Sequence, residues 1–351
     1  MHTRILNFQS IYNNFQGLIL IFVVLLSSCS SDNKFERDVS NIDVEIKINR
    51  FDKALMGLDH DDYEKSLKKL QNTYPDFYQL YIENILGIGK VADEFYQPEF
   101  QGFLQFEGTK SLYKDCITAY PDLSEIEADL STSFKYYSYY FPEAEIPEVY
   151  SYFSEYIFAN VTADNILGIG LDMYLGKDHQ YYPSLNIPLY KFRKFREDYI
   201  ISNSMKAFAY SLYDEASYTD KDLLSQMVYH GKIMYFMDCV LPHTHDSIKI
   251  GYTPRQLKWC ELSEGSVWAY LIDQNLLYEK DQMKFQKLLK DGPYTTGLPN
   301  DSAPMLGIWI GWQIVRAYME KFSHLALPNL MHDADMTGRT ILDKSKYKPK
   351  K

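Results

Sequence analysis

The strongest constraint on what this chain can fold into is a ten-residue apolar run, GLILIFVVLL at 17–26, with Cys29 just beyond it. Ten residues of helix span about 15 Å. A bilayer's hydrocarbon core is about 30 Å thick, so the run is too short to cross it. Arg4 precedes the run, no acid occurs before Asp32, and small residues follow. That is the layout of a secretory signal peptide. Leu26-Ser27-Ser28-Cys29 resembles a bacterial lipobox, in which the cysteine is lipidated and becomes the first mature residue. The reading predicts removal of residues 1–28, a polar tether over 29–38, and a domain that folds outside the cytoplasm. Lipid chains on Cys29 would anchor that domain to a membrane.

Charge narrows the function. The chain has 36 basic and 47 acidic residues, a formal net charge of -11. A nucleic-acid binder would show a basic footprint, so no nucleic-acid partner is expected. Four cysteines are too few for a disulfide scaffold. With Cys29 lipidated, Cys116, Cys239 and Cys260 are expected as buried thiols. The 31 Tyr and 20 Phe are unusual. Clusters such as Tyr136, Tyr137, Tyr139 and Tyr140 suggest an aromatic platform for glycan. Packing explains an excess spread along the whole chain better.

Punctuation and periodicity give an α+β fold, mostly helical with a small sheet. Val44, Ile46 and Ile48 alternate with Glu45 and Lys47 as in a half-buried strand. Helical patterns run from about 61 to 141, strand-like runs follow Pro147, and helices return after Pro188. No linker-grade segment interrupts residues 39–338, which are expected to form a single domain with one candidate seam near 147. Residues 339–351 carry six basic groups and one acid, Asp343, and read as a solvated basic tail. The pentapeptide ILGIG occurs at 85–89 and again at 166–170, a faint hint of duplication.

Two helices carry polar residues on apolar faces. In the first, predicted from Thr219 to about Cys239, the stripe Leu223, Met227, His230, Met234 includes an imidazole. Gly231 beside it costs a helix about 1 kcal/mol relative to Ala, which points to close backbone packing or to loss of a larger residue. The second opens at Thr253-Pro254-Arg255-Gln256, a capping box with Pro at the first helical position. Its stripe Leu257, Cys260, Glu264, Trp268 includes a carboxylate. A buried acid and a buried histidine each need a partner, so His230 and Glu264 are expected to satisfy each other.

The pair suggests a zinc-protease helix that has lost its chemistry. His-Glu-x-x-His sets two imidazoles on one face with the Glu as general base. Here His230 keeps the first ligand position. Gly231 stands at the base, Met234 at the second imidazole, and Glu264 at the third ligand. Catalytic zinc wants three protein ligands and a water. A thioether is a poor zinc ligand. Hydrolysis and a zinc cofactor are therefore not expected, unless His243 or His245 supplies the missing ligand from its loop.

The residues resemble the gliding-motility lipoprotein GldB family of the Bacteroidota. The resemblance rests on GLDMYLG at 170–176, HGKIMYFMD at 230–238, SEGSVWAYLI at 263–272, the long segment at 297–319, and SKYKP at 345–349. That family looks like a distant relative of predicted zinc-dependent proteases, which implies a degenerate zincin-like architecture. It further implies a non-catalytic, lipid-anchored component of the cell envelope. Its implied partners are other gliding-motility lipoproteins and components associated with type IX secretion. Ser30 after Cys29 leans toward the outer membrane. An active metallohydrolase and a Tyr-rich glycan-binding lipoprotein are the rival readings.

Overall fold

The computed structural model describes residues 33–350 except 60, 94, 214–220 and 334. The chain divides into two units, Met1–Glu36 and Arg37–Lys351, and every element named below belongs to the second. Cys29, the apolar run and Thr219 lie outside the described residues.

The fold is α+β, as the punctuation predicts. Strand β1 (Ile48–Asn49) is followed by helices α1 (Phe51–Met56), α2 (Tyr63–Thr73) and α3 (Pro75–Leu80), the last running into a π-helical turn over Tyr81–Ile85. Next come α4 (Tyr96–Gln105), α5 (Glu107–Ala119) and α6 (Ser124–Tyr140). Strands β2 (Glu148–Tyr152), β3 (Asn160–Ala163) and β4 (Ile166–Gly170) then complete one sheet of order β1-β2-β4-β3. The β1–β2 and β2–β4 pairings are parallel, and β3–β4 is an antiparallel hairpin. The sheet thus draws strands from both sides of residue 147.

The predicted first strand is shorter than its alternation suggests. Ile46 and Ile48 are buried as the pattern requires. Yet the Ile46 N–H donates to Ser131 Oγ (2.8 Å) and the Ile48 N–H to Glu127 Oε1 (2.9 Å), both on α6. Side chains of a helix do the work of a neighbouring strand, which blunts this sheet edge. The two ILGIG copies also part ways. Ile85 ends the π-helical turn and Gly87 adopts φ +65°, whereas the second copy is β4 itself. Surroundings, not the five residues, decide the conformation, and the repeat is no duplication.

Aromatic residues fill the core beside the sheet. Phe77 stacks on Tyr150 at 4.3 Å between ring centroids, and Phe51 meets Phe77 and Tyr81 edge-on at 4.9 and 5.0 Å. Buried phenols find carbonyls: Tyr81 donates to Phe153 O (2.9 Å) and Tyr252 to Pro304 O (2.6 Å). These buried tyrosines are packing material with a satisfied polar end. Tyr136 and Tyr137 are buried too, so the cluster on α6 presents no continuous platform. Cys116, Cys239 and Cys260 are buried free thiols, as expected.

After β4 the chain makes 3₁₀ turns at Leu171–Tyr174, Tyr182–Ser184, Leu189–Lys194 and Glu197–Tyr199. Helix α7 (Ile200–Leu212) packs on β3 and β4. The remaining helices are α8 (Leu223–Val240), α9 (Asp246–Ile250), α10 (Pro254–Asp273), α11 (Gln282–Phe285), α12 (Leu306–Lys321), α13 (Leu327–His332) and α14 (Gly338–Ser345). Among the described residues no helix is long and apolar enough to cross a membrane.

Candidate functional site

Helix α8 carries the residues that sequence singled out. Its cap is Asp222, whose side chain accepts from the Ser225 N–H at 2.9 Å. Leu224, Val228, Ile233 and Phe236 are buried along with Leu223, Met227 and Met234 of the predicted stripe, while His230 is half-buried, so the helix is enclosed on nearly every side. Such a helix needs small residues wherever another backbone crosses it closely.

That crossing is at Gly231. A Cβ there would lie 2.4 Å from the carbonyl carbon and oxygen of Gly311 on α12. A Cβ on Gly311 would lie 1.8 Å from Met227 O. Gly231 is therefore the contact point of two helices. The larger residue that the protease comparison puts at this position has no room, because the α12 backbone occupies it.

The other three motif positions do not converge. His230 Nδ1 shares a hydrogen bond with the Tyr210 hydroxyl at 2.9 Å. Its ring meets Tyr229 edge-on at 5.1 Å. Burial pushes the imidazole pKa down to about 4. Met234 is buried in the core. Glu264, 3% exposed, accepts from the Tyr347 hydroxyl at 2.8 Å and from the Lys350 backbone N–H at 3.2 Å. The expected His230–Glu264 pairing is replaced by two separate tyrosine contacts. Periodicity places a residue on a face, but it does not say which element covers that face. Among the described residues no group of three or more His, Cys, Asp or Glu is placed to hold a metal. In the loop, His245 Nδ1 caps α9 by accepting from the Ser247 N–H at 3.2 Å. His243 lines a pocket of about 260 Å³ with Asp129, Tyr136 and Asp198.

The Glu264 contacts correct the reading of the tail. Gly338–Ser345 is helical, and the following residues lie over α10, where Tyr347 meets Trp268 edge-on at 5.3 Å. Lys344, Lys346, Lys348 and Lys350 are exposed while Ile341 and Ser345 are buried. The tail is basic outside and packed inside.

A charge network that sequence alone missed lies farther along α8. Asp238, fully buried, accepts from Trp312 Nε1 (2.8 Å), from Arg316 Nε and Nη2 (both 2.7 Å), and from Lys249 Nζ (2.9 Å). Arg316 also grips Asp246 at 2.8 and 3.0 Å and lies 3.8 Å over the Trp312 ring. Two acids and two bases balance, which offsets the desolvation each would otherwise suffer. The network ties α8, α9 and α12 together. Its sequence signal was Asp238 and Arg316, charges set within two largely apolar helices that also carry Lys232 on α8 and Glu320 and Lys321 at the end of α12.

A second buried acid shapes the loop after β2. Asp172 Oδ2 accepts from the Ser154 (2.9 Å) and Tyr156 (2.6 Å) N–H groups. Glu155 and Tyr156 adopt φ of 54° and 67°, a left-handed pair that non-glycine residues take at some cost. Burial pushes the Asp172 pKa up to about 6. Asp172 sits just past the end of β4 and folds the loop back onto itself.

These clusters organise the fold around motif segments 170–176, 230–238, 263–272 and 345–349. No curated protein and no solved structure matches the chain. The family model described as "Gliding motility protein GldB" matches residues 32–349, and the chain belongs to that family.

Proposed function

We propose that this member of a gliding-motility family works as a non-catalytic, lipid-anchored component of the cell envelope. It would be held by Cys29, on the outer membrane in preference to the inner, and would bind or stabilise other gliding lipoproteins and type IX secretion components. The observation that carries the non-catalytic reading is Gly231. Its neighbour Gly311 fills the space that a general base would need. The remaining protease-like positions are engaged in packing: His230 with Tyr210, Met234 in the core, and Glu264 with Tyr347. On this reading a zincin-like helix pair has been turned into scaffold.

The test is co-purification from detergent-solubilised envelopes, together with metal analysis of the purified full chain. Recovery of gliding or secretion components with substoichiometric zinc supports the proposal. Stoichiometric zinc that disappears in His230→Ala, with hydrolysis of a peptide substrate, would overturn it. Recovery of no gliding or secretion component would overturn the partner role.

A further inference from the structure

The 3₁₀ turn Leu189–Lys194 begins the segment LYKFRKFR at 189–196, which holds four basic residues and no acid in a chain of net charge -11. Arg193 is the unusual member. Both its terminal nitrogens, Nη1 and Nη2, are buried and have no hydrogen-bond partner among the described residues. A buried guanidinium without an acceptor is costly, because desolvation is not repaid by pairing.

Two further cations crowd the same place. Lys194 Nζ pairs with Asp291 Oδ2 at 2.7 Å. Lys206, reaching over from α7, donates to the Lys249 carbonyl. Burial pushes the Lys206 pKa down to about 7, with the Lys194 charge adding to the fall and Asp291 opposing it. Burial lowers Lys194 as well, again with Asp291 opposing and the Arg193 and Lys191 charges adding to the fall. Lys194 and Lys206 thus share the Asp291 carboxylate, and the Arg193 guanidinium beside them has no hydrogen-bonded acid among the described residues. The Asp238 network, by contrast, balances its charges. The surrounding rim is reachable: Tyr190, Lys191 and Lys206 are half-buried, and Leu189 beside them is 75% exposed.

We infer that Arg193, Lys194 and Lys206 form a binding site for a phosphate-type oxyanion. A guanidinium presents two parallel N–H donors that match two oxygens of one phosphate. The lysines supply the remaining charge as compact ammonium groups. The same chemistry serves free phosphate and the headgroup of an anionic phospholipid. This site is independent of the motif helices and does not rest on the proposed scaffold role.

The experiment is calorimetric titration of the full chain, in non-ionic detergent at pH 6.5, with inorganic phosphate. Thermal melts with and without phosphate accompany it. Saturable binding that weakens at least tenfold in Arg193→Gln, with Lys110→Gln unchanged, is the expected result. Phosphate should raise Tm in the wild-type chain and not in Arg193→Gln. Should Arg193→Gln fail to fold, Lys206→Gln carries the same expectation. Competition by dihexanoyl phosphatidylglycerol would assign the site to lipid headgroups, and its failure to compete would assign it to free phosphate. No saturable binding of either probe, or binding unchanged in the variants, would overturn the inference.

Discussion

Gly231 and Gly311 meet backbone to backbone where α8 crosses α12, leaving 2.4 Å between a Cβ built on the first and the carbonyl carbon of the second. Alanine at Gly231 gains about 1 kcal/mol of helix propensity. It must also force two helices apart, and overpacking of this kind costs about 1–3 kcal/mol or more. Gly231→Ala is expected to lower the urea midpoint at constant m-value. Gly231→Glu, which restores the protease-like base, is expected to abolish folding rather than create activity. A Gly231→Ala chain more stable than wild type would refute the crossing.

Asp238 is the hub of its network. Asp238→Asn leaves Arg316 and Lys249 buried with one counter-charge fewer, and breaking a buried pair this way costs about 3–5 kcal/mol. Arg316→Lys keeps the charge but loses the fork and the stacking on Trp312, and a smaller loss is expected. Thermal melts of both variants check the order.

Asp172 and His230 oppose each other in pH dependence. The folded pKa of Asp172, about 6, lies above its ordinary 3.8. Its contribution to stability is therefore complete below about 3.8 and is lost as pH rises through 6. The folded pKa of His230, about 4, lies below its ordinary 6.5. Its contribution is complete above 6.5 and is lost as pH falls toward 4. Each effect is on the order of 3 kcal/mol. Relative to wild type, Asp172→Asn should make stability climb more steeply from pH 4 to 6, and His230→Gln should make it fall. Parallel curves for all three proteins would contradict both assignments.

Tyr347 holds the tail on α10 through Glu264. A hydrogen bond to a charged group contributes about 1.5–3 kcal/mol. Tyr347→Phe should destabilise by about that much and speed amide hydrogen exchange in α10, leaving α4 unchanged. Unchanged exchange in α10 would mean that the tail does not hold this helix.

What the sequence disclosed was local. Thr253 and Gln256 form the capping box as read, with Gln256 N–H to Thr253 Oγ1 at 3.1 Å and Thr253 N–H to Gln256 Oε1 at 2.9 Å. His230 and Glu264 do lie on otherwise apolar faces. Their partners could not be read, because Tyr347 comes 83 residues after Glu264 and no periodicity spans that distance. Lys249 was opaque for the same reason. A lysine in a five-residue helix looks solvated until Asp238 is brought against it. The close approach at Gly231 was one of two readings that the lone glycine allowed, and only the position of α12 decides between them.

The sheet order has a kinetic consequence. β1 and β2 are neighbours in space, yet all of α1 to α6 lies between them along the chain. Closing so long a loop before any contact rewards it is slow. The β3–β4 hairpin turns through Asp164 and Asn165 and has no such barrier. A two-residue strand cannot persist alone, so β1 is expected to be captured last, once the helical block has collapsed around Phe51 and Phe77. In pulsed hydrogen exchange during refolding, the Gly168 amide should gain protection before that of Asn49, because the Ile48 amide is bonded to Glu127 and does not report the sheet. The reverse order would show that the sheet templates the helices rather than being closed by them.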